Sequence, residues 1–525
     1  MKKKTLGYLW KQICEKYSQN VMIYDVSQSK KCTYRQFLVD VDCIAKRLIA
    51  IGVKRGEHIG LLAGNSMEWL KIFAAVTEIG GVITMFNTSL SKEQLLLNIQ
   101  FSDVTYLFTD KGMIEQLGNV KKYMNDNCCI GRRKADYILK EIFVIDSDNN
   151  MRFFDKMGCS VCVEYELEIR KKEVSEIDIA AILFSSGTTG EPKAVQLSHK
   201  SIVTDELRNA VYFSYSNKDK MLLTTPLFHV LGFTACILPV FIRGASLYLI
   251  HKYSTVKVWE VLKKEKCTAI CGVPTIYQFL CDKCNPGDTF QLRFGLVAGA
   301  LCPTALIQTI FLKLGIERLE NYYGQSETIT IGTASYFAKD IGKEKGFKVV
   351  DGIKYKILAS ESSKKLKMDT SGELIIRSET AFSGYYKNDL LTKKKIQNGW
   401  IYTGDVACEG SDGTFYIKGR LDDVIIRGGE NISAVEVEEQ LIQHPFIKAA
   451  SVIGVPDKLY GQDICAFIVL KENRRLSIEE LKQYFWNKAG FKIPKYIQFV
   501  KEFPHTASGK VKKYELLKVF EANEN

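Results

Sequence analysis

Between Ile177 and Val203 an apolar run, Ile179-Ala-Ala-Ile-Leu-Phe184, stops at a cluster of small and hydroxylated residues, Ser185-Ser-Gly-Thr-Thr-Gly-Glu-Pro-Lys193. It resumes as Ala194-Val-Gln-Leu197 ahead of a helical stretch. A short apolar run bounded by turn formers predicts a buried strand, then a loop, a second short strand and a helix. The same alternation recurs over the first four hundred residues. Ser91-Lys-Glu-Gln94 opens a helix with a capping-box pattern, and Val104-Thr-Tyr-Leu-Phe108 follows as a strand. Alternation of this kind specifies an α/β architecture.

A chain of 525 residues exceeds one compact core, so a large multi-subdomain α/β body with a further domain is expected. Past Gly372 the pattern changes to short strands and tight turns, with Ser411-Asp-Gly413 linking two strands as a hairpin that ends near Gly419. The expected boundary lies near Leu421, giving an N-terminal domain of 1–420 and a small, mobile α+β domain of 421–525. In the latter, helices at Ala434–Gln443 and Ser477–Ala489 frame strands at Ala450–Gly454 and Cys465–Leu470.

The formal charge of +12 is spread among acidic residues without a basic arm, so no nucleic-acid partner is expected. The 15 cysteines are odd in number and irregularly spaced, and Lys11, Glu15 and Lys16 interrupt the N-terminal apolar run before a signal core forms. Reduced thiols and a cytoplasmic location are expected. The pairs Cys159/Cys162 and Cys281/Cys284 have zinc-type spacing but no accompanying His pair, and small core thiols are the simpler reading. From Leu222 to Ile242 no charged residue occurs until Arg243, yet Pro226, His229, Gly232 and Pro239 fit a pocket wall with a buried helix better than a membrane span, and no transmembrane segment is expected.

The loop Ser185–Lys193 offers backbone N–H groups, hydroxyls and one ammonium to phosphates. Gly187, Gly190 and Lys193 lack the Walker A spacing, and a strand follows instead of a helix, which disfavours a kinase or motor ATPase. Four further motifs follow in order: Asn321-Tyr-Tyr-Gly-Gln-Ser-Glu327; Tyr402-Thr-Gly-Asp405; Gly419-Arg-Leu-Asp-Asp423 with Gly428-Gly-Glu-Asn-Ile432; and Ser508-Gly-Lys510. With these five segments the chain resembles, over essentially its whole length, the adenylate-forming superfamily of acyl-CoA synthetases, luciferases and peptide-synthetase adenylation domains.

The resemblance implies that a carboxylic acid attacks the α-phosphate of ATP, giving an acyl adenylate and pyrophosphate, and that a thiol then displaces AMP. The chemical difficulty is that both reactants are anions; two unit charges 4 Å apart repel by about 4 kcal/mol at an effective dielectric near 20. Cationic groups must offset that repulsion as charge moves onto the leaving group. By resemblance, Ser185, Ser186, Gly187, Thr188, Thr189, Gly190 and Lys193 hold the phosphates, while Thr188 and Glu327 hold Mg²⁺. Asn321, Tyr322, Tyr323, Gly324 and Ser326 belong to the nucleotide motif, with Tyr323 against adenine. Gly299, Ala300 and Leu301 line the adenine and acyl sites. Asp405 accepts from the ribose hydroxyls with Arg420 assisting. Lys510 is the catalytic lysine, Asp422 the hinge, and Gly428, Gly429 and Glu430 line the channel for coenzyme A.

Amino-acid-activating relatives carry an Asp that pairs with the substrate ammonium; here Pro226-Leu-Phe-His-Val-Leu-Gly-Phe233 stands in its place, with His229 expected near the substrate carboxylate. An unpaired ammonium in an apolar pocket is costly, so a fatty or aryl acid is expected instead. Coenzyme A is the expected acceptor, with loading of an acyl carrier protein as the alternative and a nucleotide-binding module without turnover as a further one. The chain departs from the family at Ala194, where Gly is usual, at Ser326, where Thr is usual, and at Ser433-Ala434, where an aromatic–Pro pair is common. Ser326 keeps the hydroxyl, and Ala194 is small enough to follow the same path.

Overall fold

The computed structural model describes residues 3–120, 123, 139–145, 161–185, 193–300, 302–338, 342, 343, 345–359, 371–410, 412–428, 430–489, 493–505 and 511–524. The chain forms two compact units, one of Met1–Lys343, Val350–Ile353 and Ser378–Lys394, the other of Glu344–Val349, Lys354–Arg377 and Lys395–Asn525. The boundary expected near Leu421 falls within the second unit, after the strands of its first sheet and before those of its second.

The first unit is built on two mainly parallel sheets. One runs Gly384–Tyr385, Lys193–Ser198, Ile179–Ser185, Val82–Met85, His58–Leu62, Tyr106–Thr109, Glu141–Val144. The predicted pair at 179–197 is an antiparallel ladder in which Ser185 faces Lys193, so the phosphate-type loop closes a hairpin. The other sheet runs, within this unit, Ile329–Phe337, Arg318–Gln325, Phe294–Ala298, Ala269–Gly272, Lys220–Leu223, Ser246–Leu249, Val21–Asp25, Lys30–Thr33. Helix Met67–Glu78 is buried at every position except Glu68, as a helix between layers must be, and it begins at an N-cap where Ser66 accepts from Trp69 N. The capping box at Ser91 and Gln94 opens helix Lys92–Phe101 as the sequence predicts.

The uncharged stretch 222–242 ends, as expected, in a buried helix with a loop before it, and the helix is short. The stretch comprises the end of a strand, a loop, a π-helical turn at Leu231–Ala235 and a short helix at Leu238–Ile242. Pro226, Gly232 and Pro239 break it up, since proline removes a ladder donor and glycine weakens a helix. No helix among the described residues is long and apolar enough to cross a membrane.

In the second unit, strands Ile353–Ala359, Gly372–Ser378, Trp400–Glu409 and Ile396–Gln397 form a sheet, with Phe415–Arg420 pairing Trp400–Glu409. Gly413, at a positive φ of 74°, makes the predicted turn before Phe415. The second sheet runs Glu430–Ser433, Val424–Arg427, Gly461–Leu470, Ile447–Asp457, with Tyr496–Phe499 beside Gly461–Leu470. Alternation decides its layering. Ile464, Ala466 and Ile468 pack with Val437, Leu441 and Leu481 of helices Ala434–Ile442 and Ile478–Ala489. The intervening Cys465 and Phe467 pack with Leu516 and Phe520 of helix Lys513–Glu524.

Candidate active site

In the first unit the parallel strands of the second sheet bring their carboxyl ends to one edge, which is where open α/β sheets bind ligands. Four segments leave that edge: 224–233 after Lys220–Leu223, 273–274 after Ala269–Gly272, 299–300 after Phe294–Ala298, and the turn 326–328 after Arg318–Gln325. Gly299 has a positive φ of 86°, and a methyl group built on it would lie 3.3 Å from Val273 Cγ1 and 3.9 Å from Leu231 Cδ2. The expected adenine and acyl segment therefore adjoins the His229 segment. Ala300 is exposed beside it.

The Pro-Leu-Phe-His-x-x-Gly segment is held by two devices. Asn65 donates from Nδ2 to the Thr225 carbonyl at 3.0 Å and accepts from Leu227 N at 2.8 Å. A Cβ at Gly232 would meet the Pro226 carbonyl oxygen at 2.0 Å, so only glycine fits there. His229 sits in the turn so made. Its backbone N–H donates to Pro226 O at 3.3 Å, and its Nδ1 accepts from Leu231 N at 3.3 Å. With Nδ1 accepting, the neutral ring carries its proton on Nε2, the arrangement of a donor to a carboxylate. Phe233 of the π-helical turn packs on Phe73 at 4.2 Å and Trp69 at 6.2 Å, contacts that anchor this wall to the buried helix Met67–Glu78.

Along Arg318–Gln325 the side chains alternate. Tyr323 is half-buried, whereas Tyr322 is buried on the opposite face with its hydroxyl accepting from Asn209 Nδ2 at 2.8 Å. Tyr322, expected within the nucleotide motif, is engaged in the core. Asn321 is buried. A Cβ at Gly324 would meet the Ile329 carbonyl oxygen at 1.8 Å, which explains the glycine in the motif. Ser326 is half-buried, and Glu327 is 8% exposed with Oε1 accepting from the Tyr385 hydroxyl at 2.7 Å. Among the described residues no other hydrogen bond reaches the Glu327 carboxylate. No cluster of three or more His, Cys, Asp or Glu side chains among them could cage a metal. A lone buried carboxylate fits Mg²⁺, which keeps most of its shell as water and substrate phosphate. Lys193 opens its strand opposite Ser185. Ser186, Gly187, Thr188, Thr189 and Gly190 lie outside the described residues, as does Leu301.

The second unit holds the other motif residues. Asp405 and Arg420 face each other across antiparallel strands, with Arg420 Nη1 donating to Asp405 Oδ1 at 2.8 Å. Asp405 is buried, and its N–H donates to Thr403 Oγ1 at 3.0 Å. Arg420 remains half-exposed, so a hydroxylated ligand could be addressed by both a carboxylate and a fixed cation. Asp422 is exposed in the 3-10 turn Leu421–Asp423. Gly428, at a positive φ of 58°, turns the chain between Val424–Arg427 and Glu430–Ser433. Gly429, the side chain of Glu430, and Lys510 lie outside the described residues. Lys513 is ion-paired with Glu438 at 3.0 Å and with Asp423 at 3.5 Å.

Sequence reasoning passed over a buried polar cluster behind the π-helical turn. Asp205 Oδ2 accepts from Thr330 at 2.7 Å and Asn209 at 2.9 Å, while both oxygens of the neighbouring Glu206 are buried without a hydrogen-bond partner among the described residues. Burial, then the Asp205 charge, pushes the Glu206 carboxyl well above its usual range, and burial raises Asp205 as well. Raised native pKa values mean that the folded chain binds more protons than the unfolded one above about pH 4, so stability falls as pH rises. Glu206→Gln is expected to raise the Tm at pH 8 by roughly 2–4 °C and to leave it unchanged near pH 4, read by thermal unfolding at both pH values.

A family model described as AMP-binding enzyme matches residues 10–386, and one described as AMP-binding enzyme C-terminal domain matches residues 436–510, ending on Lys510. The chain is 31% identical to the putative acyl-CoA synthetase YngI of Bacillus subtilis, over 98% of this chain and 96% of that protein. It is 29% identical to the human mitochondrial medium-chain acyl-CoA ligase ACSF2, over 99% of this chain and 88% of that one. Among solved structures it resembles ATP-bound MatB from Rhodopseudomonas palustris with a TM-score of 0.83, 21% identity and coverage of 99% and 100%, a likeness of fold. A match across most of the chain, with the motif glycines explained by close backbone approaches, makes this chain a member of the AMP-binding enzyme family, in its acyl-CoA ligase branch.

Proposed function

We propose that this chain joins a carboxylic acid to coenzyme A, with ATP cleaved to AMP and pyrophosphate through an acyl adenylate. The observation that carries the reading is the convergence of the His229, Gly299 and Glu327 segments at the carboxyl edge of one sheet. In the first half-reaction Lys193 and the loop before it bind the polyphosphate, His229 Nε2–H orients the acid, and Lys510 offsets the negative charge that gathers as the carboxylate attacks. Mg²⁺, when bound beside Glu327, neutralises phosphate oxygens. Asp405 and Arg420 hold the ribose, and Tyr323 packs on adenine. In the second half-reaction the part from 421 to 525 turns about Asp422, the Gly428–Glu430 turn borders the entering thiol, and the thiolate displaces AMP. Withdrawing the catalytic lysine while admitting the thiol lets one site run two reactions and shields the labile anhydride from water.

The acid is of the fatty or aryl class. The apolar wall from Val230 to Phe241 contributes no charge to a substrate, and the similarity to the human medium-chain acyl-CoA ligase supports a fatty acid. A cytoplasmic location is part of the same reading. The experiment is pyrophosphate exchange across acids of differing length, followed by AMP release with and without coenzyme A. Exchange that needs both an acid and Mg²⁺, with AMP accumulating over many turnovers only when coenzyme A is present, is the expected result. Formation of ADP overturns the reading, and exchange with AMP release driven by an acyl carrier protein instead of coenzyme A overturns its acceptor.

A further inference from the structure

We propose that residues 379–387 are a bracket that sets the phosphate and metal groups in register, with Tyr385 as the positioning residue for the Glu327 carboxylate. The inference rests on the reading of Glu327 as the carboxylate beside phosphate-bound Mg²⁺. The bracket joins both sheets of the first unit. On one side its backbone pairs with the strand that begins at Lys193: Ser383 N donates to Gln196 O at 2.8 Å, and Tyr386 N to Ala194 O at 2.8 Å. On the other side it grips Glu327 twice, by Phe382 N to the Glu327 carbonyl at 2.9 Å and by the Tyr385 hydroxyl to Oε1 at 2.7 Å.

Both ends of the bracket are fixed. Glu379 is ion-paired with Arg208 at 2.6 Å, the Tyr386 hydroxyl donates to Asp103 at 2.8 Å, and Lys387 pairs with the same Asp103 at 2.5 Å. At its centre Gly384 has a φ of 135° and a built Cβ would lie 3.0 Å from Thr392 Cγ2, while Tyr385 N donates to Thr392 Oγ1 at 2.9 Å. The Tyr385 ring is buried and packs edge-on against Phe382 at 4.9 Å, so the hydroxyl has little freedom. The terminal torsion of a glutamate is broad. A hydrogen bond to one oxygen fixes the carboxylate plane and thereby the direction of the other, and such outer partners typically contribute 10–100-fold to metal affinity. Because one segment holds both Glu327 and the Lys193 strand, the spacing between the carboxylate and the ammonium is set by the same few hydrogen bonds.

The test uses the full chain with Mn²⁺ as the probe and α,β-methylene-ATP, which is not cleaved at the relevant bond. Free Mn²⁺ is read by electron paramagnetic resonance. Tyr385→Phe is expected to weaken Mn²⁺ binding in the nucleotide complex by about tenfold or more, to leave nucleotide affinity in EDTA within about twofold, and to raise the Mg²⁺ needed for half-maximal pyrophosphate exchange in proportion. Unchanged Mn²⁺ affinity, or an equal loss of metal-free nucleotide binding as a merely structural role would give, overturns the proposal. Glu327→Gln is measured alongside. If it leaves Mn²⁺ affinity intact, the metal reading of Glu327 fails and the inference with it; if it weakens Mn²⁺ and Tyr385→Phe does not, only the role of Tyr385 falls. Should Tyr385→Phe fail to accumulate, Tyr385→Gln, whose shorter donor cannot keep the same geometry, is read in the same titration with the same outcomes.

Discussion

Lys510→Ala is expected to lower acid-dependent pyrophosphate exchange by about 10²–10³-fold, the usual cost of removing one group aimed at charge that develops in a transition state. Thioester formation from a supplied acyl adenylate and coenzyme A should stay within about threefold of the intact enzyme, since a residue used in only one step moves only that step. The expectation follows from charge. Adenylation brings a carboxylate onto a triphosphate and needs a cation at the meeting point, whereas the second step has a neutral anhydride carbonyl as its electrophile. The structure frames the lysine from both sides in the chain. His505 and Val511 form an antiparallel bridge, Lys512 N donates to Pro504 O at 2.8 Å, and Lys513 is tied to Glu438 and Asp423. Measured together, the two half-reactions separate a catalytic lysine from one that only supports folding, because misfolding would depress both.

Asp422→Pro is expected to have the opposite signature, with thioester formation from preformed adenylate lowered by about 10²-fold and exchange retained within a few-fold. A hinge must pass through two sets of backbone angles. Proline fixes φ near −65° and restricts the residue before it, here Leu421, so one of the two positions is closed to the chain. Leu421–Asp423 is a 3-10 turn lying between strands Phe415–Arg420 and Val424–Arg427 and belonging to neither. If thioester formation survives at the original rate, Asp422 is not where the rotation occurs. If both half-reactions fall together, the turn matters for the fold and not for the exchange of catalytic groups.

The devices that were legible in the sequence are local ones. The capping box of Ser91 and Gln94, the strand pair around Ser185–Lys193, and the strand at Cys465–Leu470 each depend on residues a few positions apart, and each stands in the structure where the local pattern predicts it. The Gly232 and Gly324 positions were legible only as motif letters; their reason, a carbonyl oxygen where a Cβ would stand, is tertiary. Helix His199–Tyr212 shows the limit from the other side. Asp205 and Glu206 are two adjacent carboxylates in a helical stretch with no motif around them, yet both are fully buried. The bond between Tyr385 and Glu327 joins residues 58 apart, and nothing in a Gly-Tyr-Tyr run signals a carboxylate partner. The assignment of 354–377 to the second unit and 378–394 to the first likewise has no compositional mark.

The return of the chain at Gly384–Tyr385 has a consequence for biosynthesis. Until a ribosome has made those residues, about 190 positions after Lys193, the strand Lys193–Ser198 is an open edge with unmet N–H and C=O groups, a template for unwanted pairing with other nascent chains. Nascent chains released before that point would carry the strand Lys193–Ser198 as an unguarded border. Pulse-labelled fragments truncated at 370 should therefore aggregate or recruit chaperones where fragments truncated at 395 do not.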